Sequence, residues 1–204
     1  AKRLALTGLF AMTSTTLLHS DEGMWLYNNP PLKVLKERYN FEPTQEWMDH
    51  LRMSSVRFNS GGSGSFVSAN GLVLTNHHVG ADTLQKISTK EKDFIKTGFY
   101  AKSQADEVPA KDLELNVLLS ITDVTEKVNG ATKPEMSSAE AGLARRKIMA
   151  EIESKALEGK DQKKFRADIV TLYNGGAYHL YQFKKYTDVR LVFAPEEQAA
   201  AFGD

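Results

Sequence analysis

The chain has 204 residues, 41% of them hydrophobic, with 26 basic against 26 acidic side chains. That is enough for one large domain or two small ones, and a net charge of zero excludes the basic excess that a nucleic-acid groove needs. Cysteine is absent, which excludes disulfides, thiolate catalysis and cysteine-held zinc or iron–sulfur centres.

Lys2-Arg3 followed by the apolar stretch Leu4 to Leu18 has the pattern of a secretory signal. The stretch is too short and too polar for a transmembrane helix. Residues 1–20 are therefore expected to be a signal peptide, with the mature protein starting near Asp21.

Residues 21–59 read as a helical N-terminal arm. Asn28-Asn29-Pro30-Pro31 is a turn, with Pro31 placed to open a helix that carries Leu32, Leu35 and Tyr39. Thr44 is the predicted cap of a second helix, whose apolar face is Trp47, Met48 and Leu51. Trp25 and Trp47 are expected to anchor the core.

Ser60 to Gly64 is a Gly/Ser cluster. No Gly-Lys-Ser/Thr follows, as a phosphate cradle requires, and Ser63 lacks the second glycine of a nucleophile elbow. The cluster is expected to be a tight bend with close backbone packing. Beyond it, apolar β-formers on both sides of Asn70-Gly71 predict a hairpin. His77 and His78 follow directly, and a short helix is expected from Val79 to Ile87.

Phe94, Ile95, Phe99 and Tyr100 form an apolar patch around Gly98. Leu113 to Val124 is a long strand-like run after the Pro109 break. Ser137 to Glu140 is a capping box. The helix behind it carries Ala144, Ile148 and Ile152 at i, i+4 and i+8, and should stop at Gly159. Ile169–Tyr173 and Tyr178–Phe183, around Asn174-Gly175-Gly176, predict a second hairpin. Val189–Phe193 is a last strand, closed by Ala194-Pro195. The content is mixed, with antiparallel sheet at the core.

The histidines are His19, His50, His77, His78 and His179. None forms a His-Glu-x-x-His motif and none pairs at i+4. Adjacent residues at the end of a strand point to opposite faces, so His77 and His78 cannot easily share a metal, and no zinc site is expected. A histidine held just past a buried strand suits a general base, which also needs an orienting acid and a serine to deprotonate. Taken alone, paired histidines in such a place are more often structural than catalytic.

Their surroundings change that balance. Gly62-Ser63-Gly64, Gly71-Leu72-Val73-Leu74 and Thr75-Asn76-x-His78-Val79 resemble the HtrA/Deg endopeptidases, in which the histidine at the place of His78 is the base. A wider resemblance, from Asp21 to Asp204, is to the bacterial dipeptidyl-peptidase 7/dipeptidyl-peptidase 11 family of trypsin-like serine peptidases. It rests on Asp21 to Trp25, Ser60 to Val67, Thr75 to His78, Gly98-Phe99, Leu113 to Leu118, Asp123 to Thr125 and Tyr186 to Val192.

This resemblance implies a mainly β fold with helices: the first β-barrel of a trypsin/chymotrypsin-like double-barrel peptidase, with a helical N-terminal arm and one long helix. Residues 60–204 would be the N-terminal part of the peptidase domain. The implied activity is release of dipeptides from the free N-terminus of oligopeptides, at the bacterial periplasm or cell surface. The protein would form a homodimer and need no cofactor or metal. His78 would be the base, with His77 as its packed neighbour. In the HtrA-like alternative Asp112 would be the acid. In the dipeptidyl-peptidase pattern the acid comes later, beyond a segment that Phe202-Gly203-Asp204 would begin, and the serine later still. A fragment ending at Asp204 would then be inactive alone. A third alternative is a non-catalytic binding module on the same scaffold. Many members of the family carry cysteine where this chain has Val79.

Overall fold

The computed structural model describes residues 23–200. The expected signal peptide and the Phe202-Gly203-Asp204 segment lie outside them. From Asp21 to Phe58 the sequence reads as helical, but the arm holds two helices and then turns into strand. Helix α1 (Leu32–Tyr39) begins just after Pro31 and ends at Asn40, which adopts the left-handed conformation. Helix α2 (Gln45–Ser54) is capped as expected, the Thr44 hydroxyl accepting from the Trp47 amide at 3.2 Å. Strand β1 (Ser55–Phe58) follows without a break.

Next come β2 (Ser63–Phe66), β3 (Val73–Thr75), α3 (His77–Ile87), α4 (Phe94–Thr97) and β4 (Phe99–Tyr100). They are followed by β5 (Val108–Pro109), β6 (Leu115–Asp123), α5 (Thr125–Asn129) and the long helix α6 (Ser138–Ala156). The chain continues through β7 (Phe165–Leu172), β8 (Ala177–Tyr186), β9 (Arg190–Leu191), β10 (Phe193–Ala194) and α7 (Glu197–Ala200). Each expected hairpin forms. Strands β2 and β3 pair antiparallel across a loop at 67–72, and β7 pairs with β8 over eight registered residues.

The main sheet has six strands in the order β3-β2-β1-β6-β8-β7, paired antiparallel throughout. The closed barrel implied by the resemblance does not appear among the described residues: β3 and β7 are free edges. The strands that could have continued the sheet are two residues long and pair with each other instead, β10 with β4 and β9 with β5.

Three cores hold the layers together. Val128, Ile152, Ala167, Tyr178 and Leu180 lie between α5, α6 and the β7–β8 hairpin. Val56, Phe58, Leu115 and Val117 form a second core, joined by Phe66, Val73 and Val79. Leu84, Phe94 and Ala194 form a third, with Ile87, Ile95 and Phe99. Tyr100, expected in this apolar patch, is exposed instead.

The two tryptophans are not core anchors. Trp25 is 55% and Trp47 45% exposed, Trp47 standing edge-to-face with Phe41, ring centroids 5.2 Å apart. Helix α2 faces the sheet through Met48, Asp49 and Arg52, not through Trp47 and Leu51. Arg52 decides this rotation. Its guanidinium donates to the carbonyls of Leu118 and Leu119, where the β6–β8 register shifts, and pairs with Asp49 at 2.8 Å. Backbone acceptors at such a bulge are left without ladder partners, and a cationic donor that reaches them fixes the helix in place.

The α6 capping box forms as read, with Ser137 and Glu140 exchanging hydrogen bonds. The helix ends at Ala156, slightly short of the expected Gly159, and Ile148 and Ile152 pack inward.

Candidate active site

The site is built from the β1–β2 bend, the β2–β3 hairpin and the first turn of α3. Four residues, Asn59 to Gly62, connect β1 to β2. The bend is closed by two bonds, Phe58 N–H to the Gly62 carbonyl and Gly61 N–H to the Phe58 carbonyl, each 3.1 Å. Asn59 ties this bend to the approach of β6. Its side-chain amide donates to the Asp112 carbonyl at 3.0 Å, and its carbonyl oxygen accepts from the Glu114 amide at 2.8 Å.

The hairpin beyond depends on close backbone approach, as the Gly/Ser cluster suggests. A side chain on Gly64 would place its Cβ 2.5 Å from the Leu74 carbonyl oxygen, closer than any real contact. The Thr75 hydroxyl donates to the Ser63 carbonyl at 2.7 Å on the same two strands. At the tip Gly71 takes a positive φ of 87°, and the Ser68 hydroxyl accepts from the Leu72 amide at 3.1 Å.

Strand β3 ends at Thr75. Asn76 is extended and caps α3, whose first two residues are His77 and His78. The sequence pattern places the histidines at a strand end and starts the helix after them. Here the Val79 amide already reaches back to the Asn76 carbonyl at 3.1 Å, so both histidines are in the first turn. Adjacent residues on a helix diverge by roughly 100°, not 180°. The His78 side chain is exposed, while His77 is half-buried. The Nε2 of His77 is buried without a hydrogen-bond partner.

His77 lines a cavity of about 340 Å³ between edge strand β3 and residues 189–195, with apolar walls that include Leu72, Leu115 and Val189. On the other face of the hairpin lies an open concavity of about 510 Å³, lined by Tyr27, Ser55, Ser63, Ser65 and Asn76. Its wall is fixed by the Tyr27 hydroxyl, which donates to Ser55 at 3.0 Å. Asn76 thus borders both the apolar cavity and the hydroxyl-lined shelf, His77 borders the cavity, and the exposed His78 follows them in the first turn of α3. A site of this kind can accept a proton from a polar group brought to it from outside.

Asp112, the acid of the HtrA-like alternative, is exposed and lies before β6. Its charge is among those that raise the Lys86 ammonium, after the hydrogen bond that Lys86 donates to Asp82. Lys86 and His78 stand at opposite ends of α3, about 12 Å apart along the helix axis. Among the described residues no group of three or more His, Cys, Asp or Glu could hold a metal ion. None of their helices is long and apolar enough to cross a membrane.

The roles of Asn59 and of residues 189–195 are not visible in the sequence. Asn59 directly precedes the conspicuous cluster, but nothing local announces that it binds a loop more than 50 residues away.

The class of protein follows from the comparison of this chain with known families. The peptidase S46 profile matches residues 20–204, and the chain belongs to that family. The chain is similar to the Asp/Glu-specific dipeptidyl-peptidase of Porphyromonas gingivalis, with 35% identity over 220 residues, covering 99% of this chain and 29% of the relative. It is also similar to dipeptidyl-peptidase 7 of Capnocytophaga gingivalis, 29% identical, with 95% and 28% covered. In three dimensions it resembles Porphyromonas endodontalis DPP11 in complex with the dipeptide Arg-Glu: TM-score 0.71, 30% identity, 90% of this chain and 28% of that one. The same protein with Arg-Asp gives a TM-score of 0.72 at 31% identity, covering 88% and 27%. The chain thus spans less than a third of the length of the relatives that it matches.

Proposed function

We propose that this chain is the N-terminal portion of an exported serine-type dipeptidyl-peptidase, and that His78 is its general base. The observation that carries the reading is the exposed His78, held in the first turn after a glycine-dependent hairpin, in a chain that matches peptidase S46 along residues 20–204. Relatives named as dipeptidyl-peptidases, and a solved relative bound to Arg-Glu and Arg-Asp, support peptides with a free N-terminus as substrates.

In this mechanism His78 takes a proton from a serine hydroxyl in a later part of the protein. The serine oxygen attacks the carbonyl of the second residue, and the imidazolium returns the proton to the leaving amine. Water, activated by the same imidazole, then releases the dipeptide. The acid that orients His78 also comes from the later part. Residues 1–20 serve as the export signal, residues 21–59 as the arm, and residues 60–204 begin a trypsin-like peptidase domain. The later part closes the open sheet into the first of two barrels, and the whole enzyme is a homodimer at the periplasm or cell surface.

The test is His78→Ala in the full-length enzyme. Release of dipeptides from a free-amine oligopeptide should fall by at least about 10³-fold with an unchanged melting temperature. Acetylation of the peptide N-terminus should block the wild type. Undiminished release by the variant would remove His78 from the mechanism.

A further inference from the structure

We propose that Gly62 is a positioning residue for His78, acting through the side chain of Val79. The inference rests on the reading of His78 as the base. Gly62 lies in the β1–β2 bend with φ of +83°, and a Cβ there would lie 2.6 Å from Val79 Cγ2 and 2.9 Å from Cγ1. Val79 directly follows His78 in the first turn of α3. Its isopropyl group packs against the second core, among residues such as Phe66 and Val73. A β-branched side chain in a helix has essentially one rotamer open to it, so Val79 cannot swing aside. The bend cannot retreat either, because the Gly62 carbonyl is bonded to the Phe58 amide of β1. The bare α-carbon of Gly62 and the Val79 side chain therefore meet as two fixed surfaces, and their contact sets where the first turn of α3 sits.

A neighbouring glycine separates this role from an ordinary turn requirement. Gly61 has φ of +100°, yet a Cβ on it would meet nothing within 4 Å. Alanine at either position strains the backbone, but only alanine at Gly62 pushes on Val79.

The experiment compares Gly61→Ala, Gly62→Ala and the double variant Gly62→Ala/Val79→Ala in the full-length enzyme. Gly62→Ala should lower kcat by at least about 10-fold with little change in KM, since a catalytic group displaced by about 1 Å costs up to about 10²-fold. Gly61→Ala should lower kcat distinctly less than Gly62→Ala, and it should lose thermal stability through backbone strain alone. Removing the Val79 methyls should restore kcat without restoring that stability. Should Gly62→Ala fail to fold, Val79→Ile tightens the same contact from the other side and should lower kcat in the same way. In parallel, the imidazole NMR resonances of His78 should move in Gly62→Ala and stay in place in Gly61→Ala. Equal loss of kcat in both alanine variants, or no rescue by the double variant, would overturn the proposal. If the resonances shift as expected while His78→Ala remains active, the positioning contact stands and the reading of His78 as base falls.

Discussion

The two ends of the six-stranded sheet are built differently. At the β7–β8 end, a long hairpin lies against α6 and α5 over a dense core in which Val128 is completely buried. At the β2–β3 end, two short strands stand beside a cavity of about 340 Å³, with Leu74 60% and Val67 50% exposed. The first end is held by side-chain volume, the second by a smaller share of the second core, through Phe66, Val73 and Val79, together with backbone closeness and a few hydrogen bonds. The candidate base lies at the second end. Regions with little buried apolar surface open most easily, and binding sites are commonly drawn from them. The glycines at 62 and 64 give that lightly packed end a defined shape.

Substitutions at each end can break this contrast. The largest stability effect is expected at the packed end. Ile152→Ala should cost about 2–5 kcal/mol by cavity formation, measured by chemical denaturation, while turnover per folded enzyme stays near wild type. At the other end Gly64→Ala forces a methyl against the Leu74 carbonyl. It should cost about 1–3 kcal/mol and also depress kcat, because the strand that leads to His78 must shift. The smallest effect is expected at the α6 cap, where Ser137→Ala should remove about 1 kcal/mol with no change in activity. A loss of turnover in Ile152→Ala would show that the two ends are not mechanically separate, and full turnover in Gly64→Ala would show that the hairpin does not position His78.

The sequence reveals those parts of the molecule whose causes are local. The α6 capping box, the Thr44 cap and the two hairpins all form, because each is dictated by residues within a few positions of one another. Features decided across the chain are hidden. Trp47 carries the hydrophobicity of a core residue, yet α2 is turned by Arg52, whose partners are carbonyls 66 and 67 residues away. The start of α3 at His77 depends on how Asn76 leaves β3. The short strands β4, β5, β9 and β10 pair among themselves and not with the main sheet, which no periodicity in such short runs could announce. Of the candidate site, the need for bare backbone before the histidines is legible from residue types, whereas the role proposed for His78 rests on the family resemblance and not on its own residues. The object that Gly62 accommodates, the side chain of Val79, is visible only in three dimensions.

The unpaired side of β3 has a practical consequence for handling the chain by itself. It is an edge strand that bears one outward leucine, Leu74, and no charge from Val73 to Thr75, in a protein whose isoelectric point is about 7.2. Near neutral pH, net repulsion between molecules is at its weakest, and an uncharged edge is a template for another strand. The 204-residue chain produced in isolation should therefore precipitate most readily around pH 7. Buffers well away from that pH, or a lysine at Leu74, should keep it in solution.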